Sequence, residues 1–302
     1  MIIGKNKQAV IENIQRAVQE EQFQQKVEVD DPGLSAEEEQ KILSRFPGRI
    51  RTAGYHLKNK TARGLVEAVT RGVNRNTEIT GLEHLRQIHT GAIITSNHFN
   101  PLDNTAVRSA LKKAGRNRLY IVSQAGNFAM KGVIGFVMNY ADTIPLGKDQ
   151  DYMTGAFPDL IRGLLRSGQY VLIYPEQEMW FNYRKPRPLK RGAYYYAARF
   201  HVPVISCFVE QVEIKEKEND EFNKVRYVVH ILEPIFPDPQ KSVRENSMEM
   251  MNRDYEQKRL AYEKAYGRKL TYEFEPGDIA GWRYKWKNSK DEPYASRLIR
   301  SL

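Results

Sequence analysis

Apolar residues are spaced in two different ways along this chain. Up to about residue 77 they recur at helical intervals, and from Glu78 onward they gather into short β-branched and aromatic runs separated by helical stretches. Ala9 to Val29 is polar with few large apolar residues and reads as helix, interrupted by Asp30-Asp31-Pro32-Gly33. Ser35 with Glu38 forms the Ser-x-x-Glu arrangement that satisfies the free amides of a helix start, which predicts a short helix to Phe46, stopped by Pro47-Gly48. A second helix is predicted at about Ala62 to Val73, with Leu65, Val66, Val69 and Val73 on one face. Lys58, Lys60, Arg63, Arg71 and Arg75 lie around and beyond that face. They suit either a solvated face or an interfacial helix meeting lipid phosphates.

Five strands are predicted at Ala92 to Ser96, Leu119 to Val122, Tyr170 to Tyr174, Val202 to Val209 and Val225 to Leu232. Helices are predicted between them at Asn104 to Ala114, Asp159 to Arg166 and Ala193 to Phe200. A longer one follows at about Val243 to Tyr266, stopped by Gly267. This alternation predicts an α/β fold with a mostly parallel central sheet flanked by helices. The expected division is an N-terminal helical segment over 1–77 packing on the core, an α/β core over 78–240, and a C-terminal helical extension over 241–302. The last 35 residues read as irregular.

Composition narrows the function classes. The 302 residues are 41% hydrophobic and 28% charged, so neither general disorder nor a fibrous repeat fits. Cys207 is the single cysteine, which excludes an internal disulfide framework and a multi-cysteine zinc site and predicts a reducing compartment. No apolar run approaches a membrane span and no cleavable leader is visible, so a soluble chain is expected. The net charge of +10 suits nucleic acid, an anionic membrane face or an acidic protein without choosing among them.

Phosphate loops, dinucleotide fingerprints, Gly-x-Ser-x-Gly elbows and His-Glu-x-x-His metal spacings are all absent. Of the six histidines, His98 stands apart. It follows the strand Ala92 to Ser96, where α/β sheets place their ligands. Asp103, five residues on, is placed to hold the imidazole in the tautomer whose other nitrogen is basic. On its own, the pair is equally a His and an Asp each satisfied in a strand-to-helix turn.

Asn97-His98-Phe99-Asn100-Pro101-Leu102-Asp103 resembles the Asn-His-x-x-x-x-Asp signature of the glycerolipid, or lysophosphatidic acid (PlsC-type), acyltransferases. Four further segments match that family's order. Ile79 to Leu85 is similar to its preceding strand and turn, and Tyr174-Pro175-Glu176 stands where it has Phe-Pro-Glu-Gly-Thr-Arg. Leu189 to Ala193 resembles its Phe-Lys-x-Gly-Ala, and Val202-Pro203-Val204-Ile205 its closing strand. The likeness covers about residues 79 to 235.

It implies an acyltransferase moving a fatty acyl group from an acyl-CoA or acyl-carrier-protein thioester to a lysophospholipid-type hydroxyl, such as that of 1-acylglycerol-3-phosphate. His98 would be general base, Asp103 its orienting partner and Glu176 the acceptor-binding carboxylate, with Asn97 alongside and no metal or cofactor. The oxyanion donors expected are main-chain amides near Asn97 to Asn100 or in the turn Glu176 to Glu178. Gln177-Glu178-Met179 replaces the family's Gly-Thr-Arg, so phosphate contacts fall to other cations: Lys148, and the run containing Arg184, Lys190 and Arg191. Glu178 instead favours an amine acceptor, and an inactive lipid-binding relative is the alternative from another class. The expected partners are the thioester donor, the lysolipid and an anionic membrane surface, with no nucleic acid. The expected place is the cytoplasmic, inner face of a membrane.

Overall fold

The structure is a computed structural model that describes residues 6–29 and 33–283. Its centre is a seven-stranded sheet: β1 Glu78–Thr80, β2 Ala92–Thr95, β3 Leu119–Gln124, β4 Thr143–Leu146, β5 Tyr170–Leu172, β6 Val204–Lys217 and β7 Asn223–Ile231. The order across the sheet is β1-β7-β6-β2-β5-β3-β4. Strands β2 to β6 are mutually parallel, and β7 turns antiparallel against β6 through a hairpin. β1 then pairs parallel with β7, so the sheet is mostly parallel with one reversed pair at an edge.

Strand β2 is buried on both faces, as parallel strands between helical layers are, and is apolar at Ala92, Ile93 and Ile94. Ala92 and Ile94 face one layer with Tyr170 and Leu172 of β5, against α4 Leu82–Arg86 and α5 Asn104–Lys113. Ile93 and Val171 face the other layer, against α2 Ala36–Arg49, α7 Phe157–Arg166, α8 Gly192–Phe200 and α9 Val243–Tyr266. A third cluster joins Val10, Ile11 and Ile14 of α1 Lys7–Gln19 to Trp180, Phe181, Phe222 and Ile279. Buried contacts therefore run from the N-terminal helix to the segment after α9.

Several predicted bounds change. The helix expected over Ala9 to Val29 ends at Gln19. Beyond it Phe23 packs against Tyr272 and Gln24 bonds the Pro188 carbonyl, contacts that compete with helix. Of the expected break, Asp30, Asp31 and Pro32 lie outside the described residues. α2 runs through Pro47 to Arg49, since a proline in the last turn forfeits only one backbone bond. α3 Ala53–Val73 begins nine residues before the expected Ala62, where the Thr52 hydroxyl accepts the Tyr55 amide as a cap. α4 and α6 Gly132–Tyr140 were not among the predicted elements. β6 extends eight residues past Val209 into a hairpin arm whose outer half is polar.

Candidate active site

Every parallel strand ends at the same edge, and the loop after β2 carries His98 there. Asn97 is buried and stitches that loop to β6: its amide donates to the Val209 carbonyl at 3.0 Å and its oxygen accepts the Val209 amide at 2.8 Å. Both ends of its side chain thus bond the sheet. The tie fixes where the next residue emerges.

His98 Nδ1 lies 2.8 Å from Asp103 Oδ2. The same oxygen accepts the amides of Phe99, at 2.9 Å, and Asn100, at 3.2 Å, as the chain turns into α5. The other oxygen, Oδ1, accepts the Tyr174 hydroxyl at 2.5 Å. Asp103 is buried, and its two oxygens face four donors, the arrangement an acceptor-only carboxylate satisfies. In the tautomer whose Nδ1–H donates to it, the His98 imidazole presents Nε2 as an acceptor. The imidazole is 21% exposed, and among the described residues Nε2 has no hydrogen-bond partner. That geometry can take a proton from a group arriving at the sheet edge.

Tyr174, just past β5, stacks on the imidazole with ring centroids 3.9 Å apart and planes 16° from parallel. Burial, and after it the Asp103 charge, pushes its phenol well above the ordinary value, so it stays a donor. In the sequence Tyr174 ends a predicted strand and opens the Tyr-Pro-Glu segment, with nothing that marks its ring for His98.

Glu176, the expected acceptor ligand, is buried with both oxygens engaged. Oε2 accepts the His98 amide at 3.2 Å and pairs with Arg187 at 3.0 Å, and Oε1 accepts the Arg187 amide at 3.0 Å. Arg187 is wholly buried, also donates to the carbonyls of Phe23 and Glu178, and lies over the Trp180 ring. Burial lowers its pKa while Glu176 holds it up. The pair braces the loop from Tyr174 to Arg191 against the main chain of His98, a use of Glu176 different from the expected one. Arg187 lay within the basic run, but nothing in its spacing marked it as internal.

The basic run divides. Arg184 turns away to Glu213 at 2.5 Å and the Gly277 carbonyl at 2.8 Å, and Lys185 is buried against Asp278 at 2.7 Å. Lys190 and Arg191 are exposed at the start of α8, with the Lys190 amide on the Pro175 carbonyl. Lys148, also exposed, follows β4, three strand spacings or about 14 Å from β2. The structure thus brings together His98, Asp103 and Glu176, and leaves Arg184 on internal duty. Five of the expected oxyanion amides are engaged within the loop. His98 gives its N–H to Glu176, Phe99 and Asn100 to Asp103, Gln177 to Tyr174 and Glu178 to Glu176. Among the described residues no group of metal-ligating side chains assembles.

The family model described as Acyltransferase matches residues 76–210. No curated protein is similar in sequence. A solved structure similar to this chain is that of the 1-acyl-sn-glycerophosphate (LPA) acyltransferase PlsC from Thermotoga maritima, at 15% identity. The match covers 76% of this chain and 89% of that one, with a TM-score of 0.48. The segment matched by the family model spans β1 through the first half of β6 and includes His98, Asp103, Tyr174 and Glu176. Over residues 76–210, just under half of its length, this chain is similar to the acyltransferase family.

Proposed function

We propose that this chain transfers a fatty acyl group from a coenzyme A or acyl-carrier-protein thioester to a hydroxyl of a lysophospholipid-type acceptor. The observation that carries the reading is the 2.8 Å contact of His98 Nδ1 with the anchored Asp103 carboxylate, leaving Nε2 open. As the acceptor hydroxyl attacks the thioester carbonyl, its proton passes to Nε2 and a C–O bond forms. Collapse of the tetrahedral intermediate breaks the C–S bond, and the departing sulfur takes the proton back from His98. No covalent acyl-enzyme is required. Lys190 and Arg191 beside the Pro175 turn are the cations nearest in sequence to this loop that remain open for an acceptor phosphate.

Acceptor and acylated product both partition into bilayers, so the reading includes attachment to an anionic membrane surface on its cytoplasmic side. No helix among the described residues is long and apolar enough to cross a membrane. Exposed Leu57 on α3 and Val133 and Ile134 on α6, with Lys58 and Lys131 next to them in sequence, support attachment from the surface.

The test is product mass spectrometry after incubating the protein with acyl-CoA, acyl carrier protein and a panel of lysolipids and amines. An O-acylated lysolipid that disappears with His98→Ala is expected. Acylated amine alone would move the acceptor class to amines, and no product from any pair would leave a lipid-binding relative.

A further inference from the structure

We propose that Tyr174 is a positioning residue of the candidate site, whose hydroxyl fixes the Asp103 carboxylate and whose ring fixes the plane of His98. The role presupposes the acyl-transfer reading, but the arrangement itself can be measured without substrate. Asp103 Oδ2 is committed to His98 Nδ1 and two main-chain amides, whereas Oδ1 has Tyr174 as its hydrogen-bond donor. A buried carboxylate with one oxygen unpaired gains by rotating to share its donors, and that rotation would draw Oδ2 off Nδ1. The Tyr174 hydroxyl removes the incentive. It also takes part of the carboxylate's charge, which weakens the pull of Asp103 on the imidazole proton without releasing it.

The ring adds a second restraint. Stacked at 3.9 Å and 16°, it closes one face of the imidazole, so Nε2 can swing only toward the open side of the sheet edge. Leaving rotation about the His98 side chain to solvent would cost alignment in every turnover. The charged and titratable groups around this trio come from several elements. Arg108 of α5 and Cys207 of β6 interact electrostatically with Tyr174, Tyr227 of β7 does so with Asp103, and Glu176 with Arg187 holds the His98 main chain. None of them donates to Asp103 Oδ1. The resembled signature carries phenylalanine at this place, so the hydroxyl is a feature of this chain's own sequence.

Two variants separate the two restraints. Tyr174→Phe keeps the ring and removes the donor, and Tyr174→Leu removes both. Steady-state kinetics with the pair identified above gives kcat and KM. Nitrogen-15 NMR of the histidine ring, assigned by the signal lost in His98→Gln, reports whether Nδ1–H persists. Tyr174→Phe is expected to lower kcat about ten-fold, leave KM within two-fold, and expose the Nδ1 proton to exchange. Tyr174→Leu is expected to lower kcat further. Wild-type kcat together with an unchanged Nδ1–H signal in Tyr174→Phe would overturn the proposal, as would a lowered melting temperature with full turnover per folded molecule. Loss of Nδ1–H protection in a protein that acylates nothing would uphold the positioning and overturn the acyl-transfer reading. Should Tyr174→Leu not fold, the near-isosteric Tyr174→Phe still decides.

Discussion

His98 is an inexpensive residue to remove from the fold and a costly one to remove from the chemistry. Its ring is partly open to solvent and stacks on Tyr174. His98→Ala is therefore expected to lose about 100- to 10,000-fold in turnover, the usual range for a general base, with a melting temperature within a few degrees of wild type. Turnover close to normal in a folded variant would sink the base assignment. Asp103 differs, because its oxygens also serve the amides of Phe99 and Asn100. Asp103→Asn forces an amide NH2 or a neutral oxygen against those donors, and it is expected to lower both activity and melting temperature. Cys207 is another solitary residue with a readable consequence. Buried in β6, its thiol is pushed up to about 12 by desolvation. At pH 8 a folded molecule should resist a thiol reagent, and labelling should follow unfolding in denaturant. Fast labelling of native protein would contradict that burial.

At the scale of elements, the loop from Tyr174 to Arg191 is held by charge, whereas most of the sheet is held by apolar packing. Glu176 and Arg187 are both buried and each supplies the other's main counter-charge. Removing one partner of such a pair costs about 3–5 kcal/mol because the other charge stays buried unpaired. Arg187→Ala is expected to lose that much in denaturant unfolding and to lose activity, since the His98 amide and carbonyl both contact the pair. A loss under 1 kcal/mol would mean that the loop is secured by its aromatic contacts instead. α9 is tied down by a similar device. Asp254 receives Thr95 of β2, Ser206 of β6, Tyr194 of α8 and its own Lys258, so the helix is keyed to three elements at one carboxylate. Its start is an ordinary surface feature by comparison. Ser242→Ala removes the capping box with Glu245 and should cost about 1 kcal/mol.

For the whole molecule, alkaline stability follows from its buried phenols. Tyr55, Tyr120 and Tyr262 are each pushed up to about 12, mainly by desolvation. In the unfolded chain they ionise near pH 10. Their contribution is complete below about pH 10 and is lost as pH rises from there through about 12, because the native state then binds more protons than the unfolded one. Denaturant midpoints measured from pH 8 to 11.5 should stay level and then fall above pH 10. The membrane expectation is also a property of the whole surface. Binding to anionic vesicles should drop between low and high salt, since each cation near the surface contributes about 1 kcal/mol within a Debye length. The structure shifts weight among the candidate groups. Arg63 and Arg71 already pair with Asp142 and Glu67, whereas Ile134 is exposed, so Ile134→Ser should weaken cosedimentation while leaving the melting temperature unchanged. Equal binding to neutral and anionic vesicles would show that charge has no part in it.

Legible in the sequence were the features set by neighbours along the chain. β2 was read because a strand buried on both faces is made mainly of apolar residues, and α9 because its length and the stop at Gly267 act locally. His98 and Asp103 were read because five residues across one strand-to-helix turn suffice to make their contact. α6 is apolar nearly all round, which leaves no stripe for a helical period to detect. What each charged side chain does was decided by tertiary structure. Arg184, Lys185, Arg187, Lys190 and Arg191 look alike in sequence, yet three are turned inward by carboxylates 11 to 93 residues away and two are left in solvent. Glu176 and Tyr174 were visible as motif letters, but their partners lie 78 and 71 residues upstream, brought close only by the pairing of β5 with β2. Local sequence could fix the imidazole and its carboxylate, because a turn is a short-range object. The groups that hold that turn still come from other strands, and chain separation carries no record of them until the sheet has formed.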